Sequence, residues 1–297
     1  MRIRLGGLLA MSLLLFSSAA GAQPSEGVPT AIFTDPVHDA ANPASMEVLH
    51  VPSGGVAING VAYVAAGAGP HPLLVLCHGR PGNEKNLDLA QAVRRAGWTV
   101  VTFNYRGSWG SPGSFSFSHN VEDGRAVLTY LREPVVAQRI RADTTRIVMA
   151  GHSMGGSVTA LTSAGDSGLK GTILISATNM GGLQGPGGKL LSRDELAKRW
   201  ANSMESLADT SPEKMAEEAV SGHKTFDWTG KGRALAGKPL LVLTSDDGQA
   251  ASAEALAAEA RAAGGRVAVV HVATDHSWSN QRIRLESEVI RWLEGVQ

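Results

Sequence analysis

The sequence lacks several features that would point to a particular chemistry or partner. One of its 297 residues is cysteine, which excludes an internal disulfide, and Cys77 ends the apolar run Leu73–Cys77, where a buried thiol is expected. Basic and acidic residues number 27 each, so no charged field favours nucleic acid or an anionic membrane. No set of histidines and carboxylates has the spacing of metal ligands, and no phosphate loop or dinucleotide fingerprint occurs. The sequence therefore implies no metal, no cofactor and no nucleic-acid partner.

The first 22 residues have the pattern of a signal peptide. Arg2 and Arg4 precede the apolar run Leu5–Phe16, and Ala20-Gly21-Ala22 is a small-residue cleavage site. The apolar run is shorter than the roughly 20 residues that a membrane span needs, and no other stretch reaches that length. We expect cleavage after Ala22, no stable membrane insertion, and a periplasmic or secreted protein; an uncleaved N-terminal anchor is the alternative.

The rest of the chain is predicted to form one α/β domain over residues 46–297, preceded by an irregular arm over residues 23–45. After two strands joined by Gly54-Gly55, short apolar runs alternate with segments of helical periodicity. Strands are predicted over residues 46–51, 57–64, 73–77, 99–104, 146–150, 171–176, 240–244 and 266–272. Helices are predicted over residues 87–96, 121–132, 157–164, 252–263 and 281–293. Continuous apolar strands separated by helices indicate a mostly parallel twisted sheet with helices on both faces.

Residues 178–237 interrupt this alternation, because they contain no run that resembles a strand. A glycine cluster over residues 181–188 is followed by charged helical stretches over residues 193–207 and 212–220. An insertion at this position is expected to act as a short helical lid over the open end of the sheet. A helical decoration far from any site is the alternative.

The most specific motif is Gly151-His152-Ser153-Met154-Gly155-Gly156, which lies between a predicted strand and a predicted helix. In that context G-x-S-x-G indicates a nucleophile elbow, a sharp turn that exposes the serine hydroxyl. The helix that follows begins with unpaired N–H groups, so negative charge beside Ser153 is favoured. Ser153 is the candidate nucleophile, and the N–H of Met154 is a candidate donor to an oxyanion.

A serine nucleophile needs a base and an acid that orients the base. His276 follows the last predicted strand, on the same sheet edge as the elbow, and is the candidate base. Asp246 and Asp247 both follow the strand over residues 240–244; we favour Asp247 for its reach toward the histidine loop and keep Asp246 as the alternative. The order Ser, Asp, His is the one expected of an α/β hydrolase.

A second oxyanion donor is expected in the loop His78–Gly82, which follows the predicted strand ending at Cys77. Pro81 has no N–H, so the natural donor is the N–H of Arg80. With Met154, this gives the oxyanion hole two backbone donors.

These residues resemble the serine α/β-hydrolase superfamily, in particular its bacterial dienelactone-hydrolase-like and prolyl-oligopeptidase-like (S9-type) branch. The similar segments, which fall within residues 46–293, are His78-Gly79 (the oxyanion motif), Asn104–Ser111 (an N-Y-R-G-x-G-x-S turn), Phe115–Asp123 (the start of the next helix) and Asp275–Ser277 (the histidine loop). Dienelactone hydrolases use a cysteine where this chain has Ser153, and prolyl oligopeptidases carry an N-terminal propeller for which this sequence has no residues. The resemblance therefore implies an α/β-hydrolase fold and serine-hydrolase chemistry rather than either named activity.

We expect a secreted serine hydrolase that cleaves small-molecule esters of short acyl groups through an acyl-enzyme. A small aminopeptidase-type peptidase is the first alternative; it would grip a short peptide's amino group with carboxylates, for which Asp194, Glu195 and Glu205 are the candidates. An acyltransferase with the same triad remains open. From another class, a non-catalytic binding protein on the same fold is the remaining possibility.

Overall fold

The computed structural model describes residues 27–185 and 189–296, so the predicted signal peptide lies outside the described residues. The strands are β1 (Ser45–Ser53), β2 (Val56–Val64), β3 (His71–Cys77), β4 (Thr99–Phe103), β5 (Ala142–His152), β6 (Gly171–Ile175), β7 (Leu240–Thr244) and β8 (Val267–His271). They form one sheet in the order β1-β2-β4-β3-β5-β6-β7-β8. β2 is antiparallel to both β1 and β4, and the remaining neighbours are parallel. The predicted α/β architecture with a mostly parallel sheet is confirmed.

Ten helices accompany the sheet in the described part of the chain. They are α1 (Leu87–Arg95), α2 (Phe117–Leu131), α3 (Pro134–Arg139), α4 (Met154–Ala164), α5 (Arg193–Trp200), α6 (Pro212–Ser221), α7 (His223–Phe226), α8 (Gly232–Leu235), α9 (Ala250–Ala262) and α10 (Arg282–Glu294). None of them is long and apolar enough to cross a membrane. The helices α5 to α8 all fall within the insertion predicted over residues 178–237.

The side chains of the central strands alternate between two apolar layers. Leu73, Val75 and Cys77 of β3 belong to the cluster that includes α2 and α4, whereas Leu74 and Leu76 belong to the cluster that includes α1 and α10. Successive side chains of a strand point to opposite faces, so a strand buried on both faces must be apolar throughout. Burial also raises the pKa of the Cys77 thiol to about 12, which keeps the thiol protonated and inert.

Three of the differences from the helix prediction have a local explanation. The helix expected from Val121 begins at Phe117, because the side chain of Ser116 accepts a hydrogen bond from the His119 N–H and caps it. The short helix α3 was not predicted; it begins at Pro134, whose fixed φ suits a first helical position. The helix expected over residues 193–207 ends at Trp200, and Leu207 instead forms a bridge with Ser108.

Replacing Glu286 by glutamine is expected to stabilise the fold above neutral pH. Burial, and then the charge of Asp88, raise the pKa of Glu286 to about 7. Since this value exceeds the ordinary glutamate pKa of 4.5, the folded state binds the proton more tightly, and the wild-type protein loses stability as pH rises from about 4.5 to 7. Glu286→Gln should therefore gain about 1–3 kcal/mol at about pH 8 and little at about pH 4.

Denaturant unfolding at both pH values measures this difference. Glu294→Gln removes the same charge from an exposed position of the same helix and is the matched control. An equal gain for both variants would show that net charge, rather than the burial of Glu286, sets the effect.

Candidate active site

The carboxyl ends of three parallel strands bring the predicted catalytic residues to one edge of the sheet. Ser153 follows β5, Asp247 lies in the loop after β7, and His276 lies in the loop after β8. All three line a single cavity of about 320 Å³, together with Arg80 and Met154. The five residues that the sequence assigns to catalysis thus share one cavity.

Ser153 occupies the turn between β5 and α4 in a strained conformation. Its φ is +56°, in the left-handed region that residues other than glycine rarely adopt, and such a conformation costs about 1–3 kcal/mol. Hydrogen bonds hold the turn: the Ser153 N–H donates to the carbonyl of Ile175 at 3.0 Å, and the Thr178 N–H donates to the carbonyl of Ser153 at 3.0 Å. A Cβ on Gly155 would collide with the carbonyl of Cys77, so the turn packs against the end of β3 only with glycine there.

His276 pairs with Asp247 and not with Asp246. The Nδ1 of His276 lies 2.6 Å from Oδ2 of Asp247, whose side chain is 4% exposed. The Asp246 carboxylate is 63% exposed and lies 3.1 Å from Nε2 of His271. Although burial raises the pKa of Asp247, the hydrogen bonds from His276 and from the Gln249 N–H outweigh it and hold that pKa below its ordinary value. Asp247 is therefore ionised at neutral pH and orients Nε2 of His276 away from itself.

The histidine loop is held from three directions. His152 Nε2 lies 2.7 Å from the carbonyl oxygen of His276, and burial, followed by the neighbouring His276, lowers the pKa of His152 to about 4. The neutral His152 ring must carry its proton on Nε2, because a carbonyl only accepts. Trp278 is fully buried and donates from Nε1 to Ser176 Oγ at 2.9 Å. Arg282 donates to the carbonyl of Ser277 at 2.9 Å.

Among the described residues, the Ser153 hydroxyl has no hydrogen bond to the His276 ring. The two side chains line the same cavity. The ring of His152, which precedes Ser153 in the chain, also contacts the carbonyl oxygen of His276. Hydrogen bonds between catalytic groups are often long in a protein without substrate and shorten when the substrate binds. The missing hydrogen bond therefore does not exclude a catalytic pairing of the two residues.

The loop after β3 lies against the side chain of Ser153. A Cβ added to Gly79 would come within 2.9 Å of the Ser153 Cβ, so glycine is required for this approach. The Tyr105 hydroxyl donates to the carbonyl of His78 at 3.2 Å, and its ring packs 4.7 Å from the His78 ring. Tyr105, from the N-Y-R-G turn, therefore supports the loop that carries Arg80.

The next residue of that turn anchors it to the core. Arg106 forms ion pairs with Asp123 and Glu122, both at 2.6 Å, and its backbone N–H donates to Asp123 at 2.8 Å. Ser53 also donates to the Asp123 carboxylate, at 2.5 Å. Breaking the buried pair of Arg106 and Asp123 would leave a charge without a partner, so these residues hold the turn in place.

Residues of the insertion line about half of the cavity, beside the loops that follow the strands. The cavity residues that the sequence did not single out are Thr178, Met180, Leu183, Leu196, Arg199, Trp200 and Gln249, most of them from the insertion. They belong to no sequence motif, because they share only their position in the cavity, which depends on the folded structure.

The carboxylates suggested for gripping a peptide amine do not line this cavity. Asp194 is exposed and pairs with Arg193 at 3.3 Å. Glu195 forms a capping box with Ser192 at the start of α5, and Glu205 is exposed and does not line the cavity. The part of the chain that the structure describes also contains no group of three or more His, Cys, Asp or Glu side chains placed to hold a metal ion.

Residues 74–284 match the model of the alpha/beta hydrolase family. This match covers most of the domain and includes Ser153, Asp247 and His276. The chain belongs to the alpha/beta hydrolase family, and the resemblance noted in its sequence is confirmed at the level of the superfamily.

Solved structures with the same fold include several esterases. The esterase of Pyrobaculum calidifontis is 18% identical, covers 86% of each chain and superposes with a TM-score of 0.63. A thermostable carboxylesterase cloned from a metagenomic library is 22% identical, covers 90% of this chain and 92% of its own, and gives a TM-score of 0.62. The acylaminoacyl peptidase of Pyrococcus horikoshii is 16% identical over 84% of this chain and 41% of its own, with a TM-score of 0.63. At these identities the likeness establishes the fold.

Among curated proteins, an uncharacterized protein of Mycobacterium tuberculosis is 29% identical over 117 residues. The match covers 39% of this chain and 40% of the length of that protein.

Proposed function

We propose that this protein is a serine esterase that hydrolyses small carboxylic esters through a Ser153, His276 and Asp247 triad. The observation that carries the proposal is the 2.6 Å contact between His276 and the buried Asp247 in the cavity that Ser153 lines. The esterase folds among its structural neighbours agree with it. A peptidase is less favoured, because the suggested carboxylates lie outside the cavity.

In the proposed reaction, Ser153 Oγ attacks the ester carbonyl carbon while its proton passes to Nε2 of His276. The carbonyl oxygen becomes an oxyanion, which accepts hydrogen bonds from the N–H groups of Met154 and Arg80. The intermediate collapses, the bond to the alcohol breaks, and His276 returns its proton to the departing alkoxide. Water then attacks the acyl-enzyme with His276 as base, and the carboxylic acid leaves as Ser153 regains its proton.

A fluorophosphonate that labels serine hydrolases tests the nucleophile directly. We expect one covalent adduct, located by peptide mass spectrometry on Ser153, in the wild-type protein and none in Ser153→Ala. Labelling of any other serine would contradict the assignment.

Short acyl esters are expected to react fastest. The cavity of about 320 Å³ adjoins a second cavity of about 240 Å³, and Met180, Leu183 and Leu196 line both and so stand between them. Among the described residues the two cavities are separate, and the first has room for a modest acyl group. We predict the highest kcat/KM for acyl groups of roughly two to six carbons on a 4-nitrophenyl ester series. A maximum for long-chain esters or unblocked oligopeptides would favour a lipase or a peptidase instead.

The export of the protein is part of the proposal. If residues 1–22 act as a signal peptide, the protein isolated from its native host should begin at Gln23 and fractionate with the periplasm or the medium. N-terminal sequencing of the isolated protein measures this. A chain that retains Met1 in the membrane fraction would favour an uncleaved anchor.

A further inference from the structure

Two arginine side chains line the cavity beside Ser153. Arg80 comes from the loop after β3, and Arg199 comes from α5 of the insertion. The ion pairs found over residues 27–185 and 189–296 include neither arginine. Among the described residues that line the cavity, only Asp247 has a carboxylate, and it is paired with His276. The cavity therefore carries positive charge that the surrounding side chains do not pair.

Neutral groups hold the Arg80 side chain in place. Its Nη1 donates to Ser203 Oγ at 3.0 Å and to the Ser203 carbonyl at 3.3 Å, and its guanidinium carbon lies 5.0 Å from the centre of the Trp200 ring. These contacts orient the guanidinium without neutralising it, and a guanidinium has five N–H donors, so donors remain. A fixed guanidinium fork suits a planar anion better than a flexible ammonium would.

The two arginines also repel each other. Burial, and next the charge of Arg199, lower the pKa of Arg80 to about 10, while Glu205 acts in the opposite direction. Arg80 still carries its charge at neutral pH, so a half-buried cation and an exposed one face the same cavity. An anion bound between them would reduce this repulsion and accept charge-assisted hydrogen bonds.

We propose that the substrate carries a carboxylate near its ester group and that Arg80 and Arg199 bind it. This inference rests on the proposed esterase function and narrows it to anionic esters. The carboxylate has two possible positions: on the acyl side, as in a monoester of a dicarboxylic acid, or on the leaving group, as in an ester of a hydroxy acid.

Steady-state kinetics with charged and capped pairs of esters tests the preference. On the acyl side, 4-nitrophenyl hydrogen glutarate is compared with 4-nitrophenyl methyl glutarate, in which the carboxylate is capped. On the leaving-group side, the butyrate ester of 5-hydroxy-2-nitrobenzoic acid is compared with that of its methyl ester. We expect kcat/KM for the anion to exceed that for its capped partner about 10- to 100-fold in one of the two pairs. Equal values, or a preference for the capped ester, in both pairs would overturn the proposal.

Arg199→Met and Lys198→Met form a matched pair of variants. Both residues belong to α5 and both side chains are exposed, but only Arg199 lines the cavity. In the preferred pair, the anionic-to-capped ratio of kcat/KM should fall about 10-fold or more in Arg199→Met and remain at the wild-type value in Lys198→Met. A ratio that is unchanged in Arg199→Met, or that falls equally in both variants, would show that no specific contact with Arg199 exists.

Binding to the Ser153→Ala protein separates this inference from the proposed reaction. Isothermal titration with monobenzyl glutarate, whose carboxylate is free, should give a Kd about 10-fold weaker when Arg199→Met is added to that background. Selective binding without hydrolysis of any ester by the wild-type protein would uphold the anion site and reject the esterase. Hydrolysis of the esters with no preference for the anionic one would uphold the esterase and reject the anion site.

Discussion

Replacing Ser153 by alanine is expected to lower kcat by a factor on the order of 10⁶ and to leave the fold intact. The side chain of Ser153 lines the cavity, and the two backbone hydrogen bonds of the turn, with Ile175 and Thr178, do not involve the hydroxyl. Loss of the nucleophile removes the acyl-enzyme route altogether, whereas the main-chain donors persist. His276→Ala should cause a loss of the same order, because a serine hydroxyl is a weak nucleophile without its base.

Hydrolysis of a short 4-nitrophenyl ester by purified variants measures these losses, and circular dichroism with thermal unfolding reports the fold. Glu294→Gln, far from the cavity, serves as a preparation control. Substantial activity in Ser153→Ala, after active-site titration has excluded contaminating enzyme, would show that another group attacks the ester.

Asp247→Asn is expected to lower kcat by about 10⁴, whereas Asp246→Asn should have a much smaller effect. The Asp247 carboxylate accepts from Nδ1 of His276 at 2.6 Å and is nearly inaccessible to solvent, so it fixes the tautomer of the ring. An asparagine there can donate to Nδ1, which moves the ring proton to Nε2, where the base is needed. Asp246 lies in the same loop but is exposed and faces His271.

The two substitutions are isosteric and adjacent, so each serves as the control for the other. The pH dependence of kcat/KM separates the two outcomes further, because a ring held in the wrong tautomer loses activity across the whole profile. The reverse ranking would transfer the role to Asp246, and two mild variants would place the orienting acid elsewhere in the chain.

The sequence predicted the parts of the fold that depend on local pattern. The strand Leu240–Thr244 was predicted with the bounds that the structure has, because a fully apolar run between turns has few other interpretations. The start of α2 at Phe117 differs from the prediction, because it is set by the capping contact of Ser116, whereas the helical periodicity becomes clear only from Val121. Boundaries set by single hydrogen bonds are harder to predict than whole elements.

The residues of the candidate site also differ in how far the sequence can predict them. Ser153 stands in a motif with a required local geometry, and His276 and Asp247 could be placed because the ends of parallel strands meet at one sheet edge. The choice between Asp246 and Asp247 depends on which side chain points toward His276, and the sequence favours Asp247 only weakly. Arg199 and Trp200 belong to an insertion whose packing depends on long-range contacts, so their place in the cavity could not be derived from spacing.

The cavity wall and the contacts that hold the histidine loop come from different parts of the chain. The serine and the histidine loop are joined by the contact between His152 and the backbone of His276, and Trp278 anchors that loop to Ser176. None of these contacts involves α5 or α6, whereas much of the cavity wall comes from the insertion. Mutations in the insertion can therefore change the cavity wall while the contacts between the Ser153 turn and the histidine loop stay in place. Arg80 connects the two parts of the cavity. Its side chain binds Ser203 of the insertion, and its backbone belongs to the loop that lies against Ser153.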